Sequence, residues 1–421
     1  MLKRIDEAEN IIEKIPKGKI TIPVEMIDYN NLKVDIPFDY IDQHLLICGS
    51  TRSGKSTLLK NLLNKYIKVD NTNSLYVLLN VKHDFDDLKD SIHFSLRNSE
   101  VAWNVLKDYV NHDENERNLY LEGIVSEMFM DTQKNTNNAF FSDTSKEILS
   151  TLIRYLGEKI KKDPNLFTNV QIKQWLNCLS VRDIQEICIS MGKGSIANYY
   201  LYSDKINGQS AAILSTLNNT VERFFFQEGK KQVSIKELLN SKHKFLVLDY
   251  DVSYDRAAFF RLILNLIIKE KINRNNNTKR RVILVLDEFS VLNGKVDLNL
   301  ALNVGAGCGL FTILCSQTIQ QFYMLTENKT SFEVETLLAG VKNQIFFQNS
   351  DPSTTEYIKK ISGQKIFEYL STYGNSVVKN QLLESYYLND FTIFMLKRYE
   401  AYIRMYDDVP IFKVKFINEN E

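Results

Sequence analysis

The stretch HLLICGSTRSGKSTLLKNLLNKY, residues 44–66, decides the fold. His44–Cys48 is a short apolar run of the kind that forms a buried strand, and residues from Lys55 to about Tyr66 carry helical spacing. Between them GSTRSGKST, residues 49–57, satisfies G-x-x-x-x-G-K-[ST] in full. Gly49 and Gly54 permit backbone angles that a side chain would oppose, so successive amide N–H groups can turn inward on phosphates. The helix that follows aims its positive end at the same anion. Lys55 offers a point charge to the β- and γ-phosphates, and Ser56 a hydroxyl to Mg²⁺. The candidate nucleotide-binding residues are therefore Gly49, Ser50, Thr51, Arg52, Ser53, Gly54, Lys55, Ser56 and Thr57, and the expected cofactors are ATP and Mg²⁺.

Working outward, Leu75–Leu79 reads as the next strand, giving a strand, loop, helix, strand unit that opens a parallel sheet. Further along, RRVILVLDEFSVL, residues 280–292, has five apolar residues ending in Asp287-Glu288. A strand there carries Asp287 to the C-terminal edge of the sheet, where ligands bind in open α/β folds. Asp287 is then the expected second Mg²⁺ ligand, beside Ser56, and Glu288 the group that polarises the attacking water. Gln317 follows Thr312–Ser316 at another predicted strand end and is a candidate to bond the γ-phosphate or that water. Together with Lys55, these residues predict an ATPase.

A chain of 421 residues exceeds one ordinary core, so two domains, or one domain carrying an insertion, are expected. From about 105 to 230 the apolar residues fall at helical spacing (Ile148, Leu149, Leu152, Ile153, Leu156), and strand-like runs return with Phe245–Leu248. The expected fold is α/β, a P-loop NTPase (RecA-like) with a mostly parallel sheet flanked by helices and an inserted all-α domain. Its divisions are 1–110 and 231–421 for the two parts of the nucleotide-binding domain and 111–230 for the insertion. Short strands are expected in Lys17–Ile36, and a strand pair on the domain's edge from FTIFML, AYIRMY and FKVKF after residue 390. Lys plus Arg and Asp plus Glu are both 52, which argues against a DNA-coating surface but leaves room for a local basic channel. Five cysteines with no CxxC pair give no zinc signature and read as free thiols in a reducing compartment. No run approaches the roughly 18–20 apolar residues of a membrane span, and the charged N-terminus lacks a signal-peptide core. A cytoplasmic protein is expected, held at the inner face of the membrane, if at all, through a partner.

The residues resemble the TraD/TraG-type coupling ATPases of conjugation and type IV secretion, within the HerA/FtsK group of translocases. HLLICGSTRSGKSTLL resembles the family's opening block. VLDEFSVLNGKVDLNLALNVGAGCGLFTILCSQTIQQF resembles the Asp-Glu block, and LLAGVKNQIFFQNSDPSTTEYIKKISGQ the block after it. Trp103-Asn104 matches at the start of the helical insertion, and NDFTIFMLKRYEAYIRM resembles the closing segment. The resemblance covers most of 30–410 and is weak within 112–220. It implies six ATPase domains in a ring around a DNA channel, with the all-α domain contacting DNA or cargo. The implied partners are sequence-independent DNA, further copies of the chain, a relaxase, and a separate membrane subunit in place of the family's membrane-spanning N-terminal segment.

Three positions depart from the family pattern. Asn80 stands where an acidic residue is usual, Gln43 where an Arg often precedes His-Leu-Leu, and Gly305-Ala306 where the family has Gly-Arg. Such rings complete each site with a basic residue from the neighbour, and Lys342 is the remaining candidate for that catalytic role. Lys279, Arg280 and Arg281, and Lys359 and Lys360, are candidate DNA contacts, each weighed against a solvated basic turn. Phe224–Phe226 and Phe140-Phe141 read as core rather than stacking platforms. The leading expectation is an ATP-driven DNA translocase of a transfer system. The alternatives are a DNA-processing or phage-defence ATPase working with a nuclease, and a nucleotide-gated scaffold for protein cargo.

Overall fold

A computed structural model describes residues 11–38, 43–69, 74–96, 99–131, 139–159, 167–200, 208–273, 280–292, 296–326, 328–373, 376–405 and 409–417. Residues 11–14 are helical. The alternating segment after Lys17 forms β1 (Thr21–Met26) and β2 (Leu32–Pro37), and the apolar run before the glycine-rich loop forms β3 (Leu45–Cys48). Helix α1 (Lys55–Val69) buries Leu58, Leu59, Leu62, Leu63 and Tyr66, the single stripe that its spacing predicts. Then come β4 (Leu75–Asn80), β5 (Ser91–Ser95) and β6 (Ser99–Trp103).

The helical stretch follows as α2 (Val105–Asn111), α3 (Arg117–Met128), α4 (Ala139–Lys159), α5 (Asn169–Cys178), α6 (Val181–Ser190), α7 (Gly194–Tyr200) and α8 (Gly208–Phe224). Strand β7 (Gly229–Val233), α9 (Ile235–Leu239), β8 (Phe245–Asp249) and α10 (Ala257–Ile272) lead to β9 (Val282–Asp287). The remainder is α11 (Leu298–Val304), β10 (Leu310–Ser316), α12 (Ser331–Ala339), β11 (Asn343–Phe347), α13 (Pro352–Ser362), β12 (Gln364–Tyr373), β13 (Ser376–Tyr386), α14 (Asp390–Phe394), β14 (Glu400–Arg404) and β15 (Phe412–Phe416).

The chain divides into two units. One holds the residues up to Ser74, Ile283–Ser290, and those from Leu298 onward. Its strands run in the order β2-β1-β15-β14-β11-β3-β10-β9. β10 and β11 flank β3 in parallel, and all residues of β3, β9, β10 and β11 are buried, as expected for strands covered on both faces. From β11 outward every pairing is antiparallel, and the alternating burial of β1 and β15 shows one face packed and one open. The C-terminal strands differ from expectation in two ways. FTIF is helix α14, because Asn389 caps it by accepting from Thr392 N. β14 and β15 lie inside the sheet, since β1 and β2 continue it beyond them. The β12–β13 hairpin has no counterpart in the sequence reading.

The other unit holds Leu75–Val282 and Val291–Asp297. Here β5, β8 and β4 run in parallel, and the strands at the two ends of the helical stretch, β6 and β7, pair with each other from Ser99↔Gly229 to Trp103↔Val233. A Cβ on Gly229 would stand 2.7 Å from Ala102 N, so this closure requires glycine. Asn104 sits at the base of the insertion. Its side chain accepts from Leu106 N and Lys107 N to cap α2 and donates to Phe167 O. Phe224 and Phe225 are core, whereas Phe226 and Phe141 are half-buried and Phe140 is 40% exposed, which corrects the reading of the Phe140-Phe141 pair as core. Asp131 receives Arg261 and Arg223, and Glu127 receives Lys269 and Asn265, which ties α10 to α3 and α8. Among the described residues no helix is long and apolar enough to cross a membrane.

His44, just before β3, is 2% exposed, and burial pulls its pKa down from 6.5 to about 4. Above pH 6.5 the imidazole is neutral whether the chain is folded or not. Between pH 6.5 and 4 only the unfolded chain takes up the proton, so stability falls with pH, by roughly 3 kcal/mol in total. A His44→Leu variant is expected to lose that component. Urea titrations at pH 7 and pH 4.5 should show its stability relative to wild type improving as the pH drops, and a constant difference would contradict the assignment.

Candidate nucleotide site

The glycine-rich loop is fixed by its neighbours in the sheet. Gly49 N donates to Ser316 O at the end of β10 (3.1 Å), and Ser50 N and Oγ both donate to Gln348 O beyond β11 (2.9 and 3.0 Å). Ser53 Oγ donates back to Ser50 O at 2.8 Å. Arg52 and Gly54 have φ of 63° and 122°, the positive angles that turn the amides of the loop inward. A Cβ on Gly49 would stand 2.5 Å from Phe347 Cβ, and one on Gly54 2.8 Å from Tyr399 Cδ1. Lys55 lays its ammonium on the carbonyl oxygens of Gly49 and of Ser50, the latter at 2.8 Å. Burial lowers its pKa, opposed by the field of Cys48, Cys315, Glu288 and Asp287. Ser56 and Thr57 occupy the first turn of α1.

Asp287 is the last residue of β9, which is separated from β3 by β10 alone, and is 7% exposed. Glu288 follows with φ of 63°, a left-handed backbone uncommon outside glycine that turns its carboxylate away from the strand direction. Gln317 Nε2 donates to Glu288 Oε1, so these two sequence-predicted residues meet. The residues that hold Gln317 were missed by sequence reasoning. Gln321 Oε1 accepts from Gln317 N (3.0 Å) and from Ser316 Oγ (2.8 Å), while its Nε2 donates to Ser290 Oγ (3.1 Å). Asn349 Nδ2 donates to Gln317 O at 2.6 Å. Both lie within the resembling blocks, SQTIQQF and FFQNSD, but only their tertiary contacts give them a task. Below them Cys48 is a neutral thiol, its pKa pushed by burial to about 12.

Tyr399 was also missed. Its backbone is left-handed (φ 69°), its N–H donates to Ser53 O at 2.9 Å, and its ring borders Gly54. The Arg398 guanidinium lies 4.7 Å from the centre of that ring. The loop is thus braced on the side away from Asp287 by a residue from the end of the chain.

Lys342 is exposed and precedes β11 at the opposite sheet edge. Asn343 aligns with Leu45, so Lys342 stands about a strand length, roughly 15 Å, from the loop of its own unit. The basic clusters are largely tied up. Arg280 is buried and donates to Ser241 O and His243 O, which makes it a tether, neither a DNA contact nor part of a solvated turn. Lys279 lies outside the described residues. Lys359 pairs with Glu356 and Asp390, and Lys360 with Glu335. In the second unit Asn80, where the family has an acid, donates to Asp249 and Asp86 at 2.7 Å each, and Asp249 also bonds His93 Nδ1 at 2.8 Å. A carboxylate therefore reaches that strand end from β8.

A parallel sheet whose central strand ends in such a loop, with Asp-Glu ending the strand two places away, defines a P-loop NTPase of the α/β class. Within that class the chain belongs to the type IV secretion-system coupling protein family, whose DNA-binding domain profile matches residues 29–417. Solved structures share the fold. The bacterial conjugative coupling protein TrwBdeltaN70 is 17% identical, with a TM-score of 0.72 over 98% of this chain and 91% of that one. Plasmid coupling protein TrwB in complex with the non-hydrolysable ATP analogue ADPNP is also 17% identical, with a TM-score of 0.72 over 98% and 92%. VirB4 of Thermoanaerobacter pseudethanolicus is 14% identical, with a TM-score of 0.57 over 96% and 97%. No curated protein sequence matches the chain.

Proposed function

We propose that this chain is the ATP-hydrolysing motor of a DNA-transfer system, driving DNA or a protein–DNA complex through a ring of six copies. The observation that carries this is the bond from Gln317 to Glu288 beside Asp287 and the glycine-rich loop, all within one unit of a coupling-family protein. TrwB has been solved with ADPNP, with the GTP analogue GDPNP, and with ADP and Mg²⁺. The donor set here fits the same ligands: inward amides, the Lys55 ammonium, the Ser56 hydroxyl and the Asp287 carboxylate. Mg²⁺ bound there would neutralise phosphate charge. Gly49–Thr57 hold the triphosphate, Ser56 and Asp287 hold the metal, and Glu288 orients and polarises the attacking water. Gln317 fixes the Glu288 carboxylate and carries its position to β10. Lys342, too distant to serve its own loop, faces the nucleotide of the neighbouring subunit. The helical residues within 111–230 contact DNA or cargo, and a separate membrane subunit and a relaxase complete the machine at the inner face of the membrane.

The test is the ATPase rate as a function of protein concentration, with and without single- and double-stranded DNA, using Glu288→Gln as the control. A rate per subunit that climbs with assembly and with DNA is expected. A rate indifferent to both would remove the motor reading.

A further inference from the structure

Where α2 ends, four polar side chains meet inside the unit that carries the helical stretch. His112 follows α2, Asp108 lies a turn before it, Tyr120 is in the first turn of α3 and Glu270 in the last turn of α10. Asp108, Glu270 and His112 are 0%, 2% and 7% exposed. Trp103 Nε1 and Ile235 N, the latter at 2.8 Å, both donate to the Asp108 carboxylate. His112 Nδ1 lies 2.6 Å from Asp108 O, and its Nε2 lies 3.0 Å from Glu270 Oε2. A carbonyl oxygen only accepts, so Nδ1 carries a hydrogen, and Nε2 carries one only in the imidazolium. With a proton between them, Nε2 and Glu270 share a charge-assisted bond. Without one, a lone pair faces a buried carboxylate. The cations next in sequence are engaged with other groups, Lys269 with Glu127 and Asp297, and Lys107 with Glu237. Tyr120 stacks on the imidazole, ring centres 3.6 Å apart, and its hydroxyl is buried without a partner. Burial and the fields of Asp108 and Glu270 hold the pKa of that hydroxyl well above 10, so it remains a donor. A cavity of about 340 Å³ bordered by His112, Glu116 and Lys269 gives protons a way in.

We propose that this cluster is a proton-operated latch on the helical insertion. Holding the proton, His112 ties the end of α2 to α10. Losing it, His112 lets go of Glu270, Tyr120 offers the released carboxylate its hydroxyl, and the corner between α2 and α3 loosens. The direction in pH follows from both titrating groups. Burial disfavours charge on His112, but its bonds to Glu270 and to Asp108 O and the fields of the two carboxylates outweigh that, and its pKa is raised above 6.5. Burial pushes the Asp108 carboxyl from 3.8 up to about 7, against the bonds from Trp103 and Ile235. Each group holds its proton more firmly in the folded chain than in the unfolded one. The share of Asp108 in stability is therefore lost between pH 3.8 and about 7. That of His112 is complete below pH 6.5 and is lost as the pH rises through its folded value. The latch closes toward acid and opens as the pH climbs past neutrality. No residue of the glycine-rich loop takes part, so the latch stands apart from the nucleotide reading.

Hydrogen exchange of the full-length protein at pH 7 and 8.5, followed by mass spectrometry and corrected for the intrinsic rate, tests this. His44 is neutral, folded or unfolded, across that range. Peptides covering α2, α3 and the end of α10 are expected to lose protection about tenfold at the higher pH, while peptides from α4 to α6 keep theirs. Glu270→Gln should abolish the change, because its amide donates to a neutral Nε2 and accepts from a protonated one. His112→Gln should abolish it as well, because no imidazole is left to titrate. Equal protection of the wild type at both pH values would overturn the proposal, as would the same fall in either variant or a loss spread evenly over all peptides. Should Glu270→Gln fold poorly, His112→Gln and the wild type decide between these outcomes.

Discussion

Glu288→Gln is expected to lower steady-state ATP turnover by about 100- to 10,000-fold while leaving Mg·ATP affinity within about threefold. The substitution keeps the size of the side chain and an oxygen for Gln317 Nε2 to bond, so the left-handed turn after β9 and the tie to β10 persist. What it removes is the negative charge and basicity that polarise water. The phosphate-binding groups, Lys55 and the loop amides, are untouched. Single-turnover rates and titration with a fluorescent ATP analogue separate the two effects. Retention of more than about a tenth of the rate would show that another group activates the water.

Gly54→Ala is expected to abolish nucleotide binding at millimolar ATP. Two independent penalties meet at this residue. Its φ of 122° lies where a side chain costs about 1–3 kcal/mol, and the added methyl would stand 2.8 Å from Tyr399 Cδ1 and 3.2 Å from Phe347 Cε1. The loop cannot yield toward the sheet, because Tyr399 N is bonded to Ser53 O and Ser50 to Gln348. It must instead open outward, which turns the amides off the phosphates. Removing the ring in Gly54→Ala/Tyr399→Ala should restore part of the affinity, since the contact is relieved and the backbone penalty remains. Calorimetric titration of the single and double variants measures both. Equal affinity in wild type and Gly54→Ala would show that the loop is not held as the geometry indicates.

Local pattern alone made the central elements legible. The strand before Gly49, the helix from Lys55 and the strand ending in Asp287 were readable because each is a dense run of one period bounded by glycine, charge or polar turn residues. The helical spacing expected from about 105 to 230 returns in the described residues as α2 to α8, for the same reason. FTIF was misread as a strand because four residues carry too little period to choose, and the Asn389 cap decided it. Arg280 was weighed between a DNA contact and a solvated turn and is neither, because charge in a sequence says nothing of burial. Arg280 spends its donors on two carbonyl oxygens inside the fold.

The sequence by itself determined that this chain carries a phosphate loop and an acidic pair at strand ends, because both motifs state their chemistry within a few consecutive residues. Only the tertiary structure decided how that loop is braced and who stands beside whom. Tyr399 against Gly54, Asn349 behind Gln317 and Asp249 beside Asn80 are pairings between residues far apart in the chain. Each is set by which strands lie next to each other in a sheet and in what register, and no local periodicity encodes that order.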